Sequence, residues 1–554
     1  MKPAKTAKNW IWQMARPFAW RIGLLSVLRF LSSSSSVLFA LLSQQVIDRA
    51  TGVIEDSFWM PGIILLIVLS LRVLLIVWYF NLSNWVNGKL EISIKDRIFN
   101  TLFCKRWQDV NTFHSGELLN RMTSDSTVVV AGIVDIIPQI VAMATSLIAC
   151  LSVLLAMDWK FTLVLLAFGI VMLIVGRFYG KWMKKLHKEC QATDGRGKSF
   201  TQEALYNWMV VQSFGGSDTV RERMDKLLNV NFKAKMKRAH LSNVSHAAMY
   251  LLFNGSYYIA LLWGAVRLAV GSMTFGALTA LLQIVSQIRA PFMNMSGILP
   301  QYYNMLASAE RIMELEELPD EPRLPQLYSA EELYSRLQTL NVENVRFSYD
   351  EDKVVLNGAD FTLNKGEFVA LAGFSGIGKS TLFKLMLGFY PPNMGTLTAK
   401  LDGETLTLGA DTRCLFAYVP QKNMLLSGTI RENVAFCCGD VSEEAIWKAA
   451  EIADVADAIR QLPDGLDTLL GESGAGMSEG QLQRLAIARA VLSGAPILLL
   501  DECTASLDES TEERVLKNLR TLPDRTCLCI SHRPAALDIC DRVVRVVDGK
   551  IVED

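Results

Sequence analysis

The run GFSGIGKST, residues 373–381, combines three glycines with a lysine and two hydroxyls; it follows the apolar stretch FVALA and precedes LFKLMLGF. A buried strand passing through a glycine turn into a helix is the setting in which backbone N–H groups converge on phosphate oxygens. Gly373, Gly376 and Gly378 tolerate the backbone angles this requires, Lys379 reaches the β and γ phosphates of a nucleotide, and Ser380 ligates Mg²⁺. The stretch Gly373, Phe374, Ser375, Gly376, Ile377, Gly378, Lys379, Ser380 and Thr381 therefore reads as an ATP-binding P-loop. A ligand-free glycine turn would explain the glycines but not Lys379 and Ser380.

Two further segments carry matching chemistry. ILLLDE, residues 497–502, places two carboxylates at the end of an apolar strand, where parallel sheets open onto ligands. Asp501 would hold the Mg²⁺ shell, directly or through water, and Glu502 would orient a water toward the γ phosphorus. The competing reading of these carboxylates is a plain helix cap. His532, in CLCISHRPAA, also ends a strand. Alone it would read as a buried core histidine; beside a P-loop it reads as a γ-phosphate contact.

The elements that position these groups occupy only the second half of the chain. Of 554 residues, 51% are hydrophobic and 20% charged, with mean hydropathy +0.25, which argues against a purely soluble enzyme. The net charge of −1 provides no basic field for nucleic acid. Ten cysteines without a C-x-x-C spacing read as reduced packing residues. Six apolar segments, at approximately 18–47, 58–86, 128–156, 160–182, 247–270 and 275–305, are long enough to cross a bilayer core of about 30 Å. The basic N-terminus leads into the first of them without a small-residue cleavage site, so a retained membrane helix is expected. The long, basic stretches 87–127 and 183–246 belong with both termini in the cytoplasm by the positive-inside rule.

Arg29, Arg72 and Arg289 lie about 11 to 15 residues into their segments, near mid-bilayer at 1.5 Å per residue. No acidic residue is expected at equal depth, and Gln283, Asn254, Asn294, Tyr257 and Tyr258 are expected beside them. Two readings stand: an anion-friendly substrate path, or interhelical bonding to backbone carbonyls.

Taken in order, the motifs resemble one family, the ATP-binding cassette transporters, in the exporter arrangement. They are VRFSY with Tyr349, the P-loop, YVPQ with Gln421, MSEGQ at 477–481 followed by LQRLAIARA, Asp501 and Glu502, LD at 507 and 508, and His532. The resemblance covers nearly the whole chain. It implies an all-α six-helix transmembrane domain (1–315), a linker (316–340) and an α/β P-loop ATPase domain with a helical signature subdomain (341–554). It further implies that Tyr349 stacks on adenine and that Gln421 joins Mg²⁺ and the attacking water to the membrane domain. Ser478, Glu479, Gly480 and Gln481 would meet the γ phosphate of ATP held by a second subunit, at a helix N-terminus suited to an anion. The signature reads MSEGQ where LSGGQ is commonest, and the D-loop reads ASLD in place of SALD.

With one P-loop and one signature per chain, the working unit is a dimer with a second half-transporter subunit, homodimeric in the favoured reading and heterodimeric in the alternative. The turns DVNTFHSGE (109–117) and YNWMVVQSF (206–214) resemble coupling helices, the second docking on the partner. The expected function is ATP-driven export of a small amphiphile (drug, lipid or peptide) by alternating access, in a bacterial cytoplasmic membrane whose lipids surround it. Competing classes are an ATP-gated channel or sensor, which would not need Glu502 and His532, and a soluble P-loop ATPase on nucleic acid, which the apolar segments exclude.

Overall fold

The apolar runs of the first half are helical in the structure, a computed structural model that describes residues 6–322, 329–349, 353–374, 376–422, 424–436, 438–439, 441–471 and 476–553. Within helices the side chains of 168, 170–178, 181, 246, 249, 253, 289, 290 and 292–296 fall outside the description. In chain order the helices are α1 (Ala7–Ala15), α2 (Ala19–Ala50), α3 (Trp59–Leu102), α4 (Trp107–Val110), α5 (Ser115–Asn120), α6 (Ser126–Met157), α7 (Trp159–Tyr206), α8 (Trp208–Ser213), α9 (Ser217–Ala269) and α10 (Phe275–Glu317). Among the described residues, four stretches are long and apolar enough to cross a membrane: Ala7–Ala50, Trp59–Leu102, Ser115–Met157 and Ser217–Ala269. The other two expected spans fall on α7 and α10, partly on side chains outside the description.

Helices α3, α7, α9 and α10 have 44, 48, 53 and 43 residues. At 1.5 Å per residue they run about 65 to 80 Å, so more than half of each extends beyond the hydrocarbon core. Their short turns are pinned by buried carboxylates. Asp48 accepts the Gly276 N–H at 3.0 Å. Asp158 caps α7 by accepting from Lys160 and Phe161 N–H and takes a third bond from Trp263 Nε1 at 2.9 Å. One core joins Val37 and Ala40 of α2, Cys150 and Leu154 of α6, Phe161, Ala260, and Leu281 and Ile284 of α10.

The chain divides into two units, Met1–Thr101 with Ser115–Glu317, and Leu102–His114 with Leu318–Asp554. The second contains strands β1 (Leu337–Ser348), β2 (Val354–Asn364), β3 (Phe368–Ala372), β4 (Met394–Leu401), β5 (Glu404–Thr407), β6 (Phe416–Val419), β7 (Gly428–Thr429), β8 (Leu469–Leu470), β9 (Ile497–Asp501), β10 (Thr526–Ile530), β11 (Arg542–Val547) and β12 (Lys550–Glu553). A six-stranded sheet has the order β12-β11-β3-β10-β9-β6, and a four-stranded antiparallel sheet the order β2-β1-β4-β5. Strands β11, β3, β10, β9 and β6 are mutually parallel. Every residue of β3, β9 and β10 is buried, as a sheet covered on both faces requires. Helices α11 (Ala330–Arg336), α12 (Lys379–Met386), α13 (Ile430–Val434), α14 (Glu443–Ile452), α15 (Ala456–Arg460), α16 (Glu479–Leu492), α17 (Glu509–Arg520) and α18 (Pro534–Ile539) complete the unit.

Two boundaries differ from expectation. The connector expected at 316–340 contains α11 and the start of β1, because Leu333, Tyr334 and Leu337 are buried in the core and Tyr334 shares a 2.9 Å hydrogen bond with Thr526. Residues 102–114, expected within the membrane domain, fold with the second unit. There Trp107 packs 5.8 Å from Phe389, Asn111 Nδ2 donates to Tyr390 at 3.4 Å, and Lys105 pairs with Asp320 at 2.6 Å. The thiols Cys503, Cys527 and Cys529 are buried, and burial pushes Cys503 up to about 12, which suits inert packing groups.

Candidate functional site

Parallel strands deliver their C-terminal ends to one edge, and the predicted P-loop, Gln421, Asp501, Glu502 and His532 lie along it. The P-loop leaves β3, Glu502 follows β9, His532 follows β10, and Gln421 follows β6. Gly373, Gly376 and Gly378 have φ of 142°, 79° and 117°. At Gly378 a Cβ would also meet Val355 Cγ1 at 2.8 Å, so both conformation and space demand glycine. Helix α12 begins at Lys379, directing its free N–H groups at the loop.

Lys379 is buried and donates to the carbonyls of Gly373 and Phe374 at 2.5 and 3.1 Å. Its Nζ is 3.0 Å from His532 Nε2 and 3.9 Å from Glu502 Oε1. Burial lowers its pKa, against the opposing pull of Glu502 and Asp501. Asp501 accepts from Ser380 Oγ at 2.9 Å and from Tyr418 OH at 3.0 Å. Burial raises the Asp501 carboxyl above its ordinary range even though both hydrogen bonds favour the ionised form. Gln421 donates from Nε2 to Glu502 at 2.8 Å, which leaves its Oε1 as an acceptor. Glu502 itself has φ of 48°, a left-handed conformation rare for this residue type and found where surrounding structure enforces it.

Tyr349 is 46% exposed, bonds Thr381 Oγ1 at 3.1 Å and stands edge-on to Tyr390. A cavity of about 340 Å³ is lined by Tyr349, Gly376, Lys379, Ser380, Gln421 and Glu502 among others. Phe374 is exposed, Ile377 packs on the core, and Ser375 lies outside the described residues. Ser380, Asp501 and Gln421 present oxygen donors, the set that a hard cation such as Mg²⁺ takes.

Ser478, Glu479, Gly480 and Gln481 do not line this cavity. Ser478 instead caps α16 in a reciprocal box, its N–H donating to Gln481 Oε1 at 2.8 Å and its Oγ accepting the Gln481 N–H at 3.3 Å. Gly480 is close-packed, since a Cβ there would sit 3.1 Å from the Ser506 carbonyl. Tyr418, which sequence reasoning did not single out, belongs to the site through Asp501. Its only sequence signal is its place, three residues before Gln421, on an apolar strand.

Comparison with known proteins decides the family. Residues 22–292 match the model of the ABC transporter transmembrane region, and residues 356–505 match that of the ABC transporter. The chain is 30% identical over 557 residues to an ATP-dependent lipid A-core flippase of Pasteurella multocida (strain Pm70), covering 98% of this chain and 94% of that protein. It belongs to the ABC transporter family. A same-named flippase of Vibrio vulnificus (strain CMCP6) is 29% identical over 550 residues, covering 98% and 93% of the two chains. Among solved structures, a bacterial Atm1-family ABC exporter with ATP bound shares the fold at a TM-score of 0.78 and 23% identity, over 96% of this chain and 94% of that one. The chain is thus an exporter-type ABC half-transporter, a multi-pass membrane protein that binds ATP and couples its hydrolysis to transport.

The membrane unit of this ABC transporter holds a second cavity, of about 770 Å³, reached by α2, α3, α6 and α10. Arg29 and Arg72 both line it, and the Arg29 guanidinium lies 3.9 Å over the Tyr79 ring. Arg289 is on α10, but its side chain lies outside the described residues, as does that of Asn294. The expectation that no acid shares their depth is corrected: Asp135 of α6 lines the same cavity. Gln283, Asn254, Tyr257 and Tyr258 do not line it. Asn254 spends its amide on the Tyr250 carbonyl within α9, and Tyr258 is 61% exposed.

Proposed function

We propose that two copies of this chain form an ATP-driven exporter that closes its ATPase units on two nucleotides and moves a small, lipid-like amphiphile across a cell membrane. The observation that carries this reading is that Lys379, Ser380, Gln421 and Glu502 line one cavity, with Asp501 bonded to Ser380 and His532 beside Lys379, so that four separate loops converge there. The P-loop from Gly373 to Thr381 would hold the phosphates while Tyr349 stacks on adenine. Lys379 exchanges its two carbonyl acceptors for phosphate oxygens, a charge-assisted and stronger bond. A Mg²⁺ ion held by Ser380, Gln421 and, directly or through water, Asp501 would neutralise charge on the β and γ phosphates. Glu502 orients the attacking water, Gln421 fixes the Glu502 carboxylate, and His532 meets the γ phosphate.

The N-terminus of α16, from Ser478 to Gln481, faces the nucleotide of the second copy. The exposed tip around α8, with Tyr206, Met209 and Phe214 each at least 84% exposed, supports docking on that copy's ATPase unit. The basic loop extensions support a cytoplasmic ATPase unit and cytoplasmic termini. Nucleotide favours the closed dimer and shifts the membrane units outward; moving from 1:99 to 99:1 needs about 5.5 kcal/mol of differential binding. The relatives' lipid A-core flippase activity supports a lipid-like cargo, with Arg29, Arg72 and Arg289 along its path.

The test is Mg-ATP hydrolysis by the chain purified alone into lipid nanodiscs, beside Glu502→Gln. Activity that disappears in the variant supports a working homodimer. A folded, ATP-binding protein without activity would refute the homodimer and direct the search to a different second subunit.

A further inference from the structure

The membrane cavity is polar to a degree that an apolar cargo does not explain. Arg72 and Asp135 line it, and neither makes a hydrogen bond or ion pair with a described residue; Arg29 stacks on the Tyr79 ring and is attracted by the Asp135 charge, with its Nε buried and without a hydrogen-bond partner among the described residues. Asn84, Gln139 and Gln301 on the same wall also make no hydrogen bond with a described residue. Other polar groups there are already paired: Ser36 donates to Gln287 Oε1 at 3.0 Å, and Gln287 returns a bond to the Ser36 carbonyl at 3.1 Å. Among the described residues the wall therefore separates structural pairs from a set of open groups, two cationic, one anionic and three amides.

Charged groups inside a membrane are costly unless a partner completes them. Here neither Arg29 nor Arg72 forms a salt bridge with Asp135; Asp135 feels the Arg29 charge only across the cavity that all three line. A purely anionic ligand would satisfy the arginines and be repelled by Asp135. A cation would do the reverse, and an apolar molecule would strand all three. A ligand carrying both charges completes every group at once. The volume of about 770 Å³ is that of a small-molecule site, and Phe80, Ala142 and Met143 offer an apolar face beside the charges.

We propose that the transported molecule has a zwitterionic head on an apolar tail, its ammonium seated at Asp135 and its acid group between Arg29 and Arg72. This rests on the exporter reading above. Two sources share the chemistry, an amino-acid head and a phosphoethanolamine lipid head.

The experiment is equilibrium binding to the full chain in phosphatidylcholine nanodiscs, with radiolabelled Nε-lauroyl-lysine, lysophosphatidylethanolamine and dodecyl phosphate as separate probes. The zwitterions are expected to bind about tenfold tighter than dodecyl phosphate. Asp135→Asn should weaken the zwitterions by about tenfold while dodecyl phosphate binds as well or more tightly, whereas Arg29→Gln should weaken all three. Asp135→Glu should restore zwitterion binding, which separates lost charge from lost folding. Binding of only one zwitterion assigns the source. Dodecyl phosphate bound as tightly as the zwitterions, an equal response of all probes to Asp135→Asn, or no binding of any probe would overturn the proposal. Mg-ATP hydrolysis by the wild-type chain in the same discs tests the exporter reading separately, so either can fail without the other.

Discussion

Tyr418 donates its hydroxyl proton to Oδ2 of Asp501 across 3.0 Å while Ser380 holds Oδ1 at 2.9 Å. The carboxylate that would serve the cation is thereby fixed from both sides, once by the P-loop helix and once by the strand leading to Gln421. Partners of this kind orient a ligand and typically matter tenfold or more to metal affinity. Tyr418→Phe is expected to weaken Mn²⁺ binding, read by electron paramagnetic resonance with ADP present, by about tenfold. Nucleotide binding without metal should stay within about twofold. Unchanged Mn²⁺ affinity would remove Tyr418 from this role.

Glu502→Gln keeps an oxygen toward Gln421 but loses the acceptor charge that orients water. Turnover should fall by about 10²- to 10⁴-fold with ATP binding retained. Sustained hydrolysis in the variant would assign the water to another group.

Lys379→Ala removes the ammonium that sits among the Gly373 and Phe374 carbonyls, His532 and Glu502. ATP affinity should drop by about 10- to 100-fold, measured by fluorescent-nucleotide displacement. Equal affinity would mean that the lysine does not reach phosphate.

Gly378→Ala places a Cβ 2.8 Å from Val355 Cγ1 on a backbone of φ 117°. Conformational strain alone should cost about 1–3 kcal/mol, lowering the melting temperature of the ATPase unit and abolishing nucleotide binding together. Gly376→Ala meets no atom within 4 Å, so its loss should be the smaller.

Asp508 caps α17, and hydrogen bonds from Ser510 and Thr511 hold its carboxyl well below the ordinary aspartate range. Its folded value is depressed, so its stabilisation is complete above the unfolded pKa of about 3.9 and is lost as pH falls through the folded value. Hydrogen exchange in the first turn of α17 should therefore differ between wild type and Asp508→Ala at neutral pH and converge in strong acid. A difference that grows on acidification would reverse the assignment.

The nucleotide site was legible because its chemistry is local. Glycines, Lys379 and Ser380 lie within one nine-residue run, and Asp501, Glu502 and His532 each end an apolar strand, whereas Gln421 was indicated only by the family resemblance. Their convergence follows from parallel order once the strands are recognised. Tyr418 was not legible, because its role depends on β6 pairing with β9 in a register that sets Tyr418 beside Leu499, two residues from Asp501. Asp135 was misjudged for a related reason. Depth counted along single helices cannot say which helices share a cavity. The helix-rich stretch 102–114 likewise carries nothing in its composition that assigns it to the second unit; Trp107 against Phe389 does.

Residues 102–114 also make the second unit a discontinuous one, assembled from two stretches of chain far apart in sequence. A single nick between Pro322 and Ser329 would therefore sever the polypeptide without freeing the fragment from residue 329 onward. Trp107 and Asn111 would still grip Phe389 and Tyr390, and Glu321 would still hold Arg413 at 2.8 Å. The two fragments should travel together through purification, like a hinge that keeps one pin after the other is drawn.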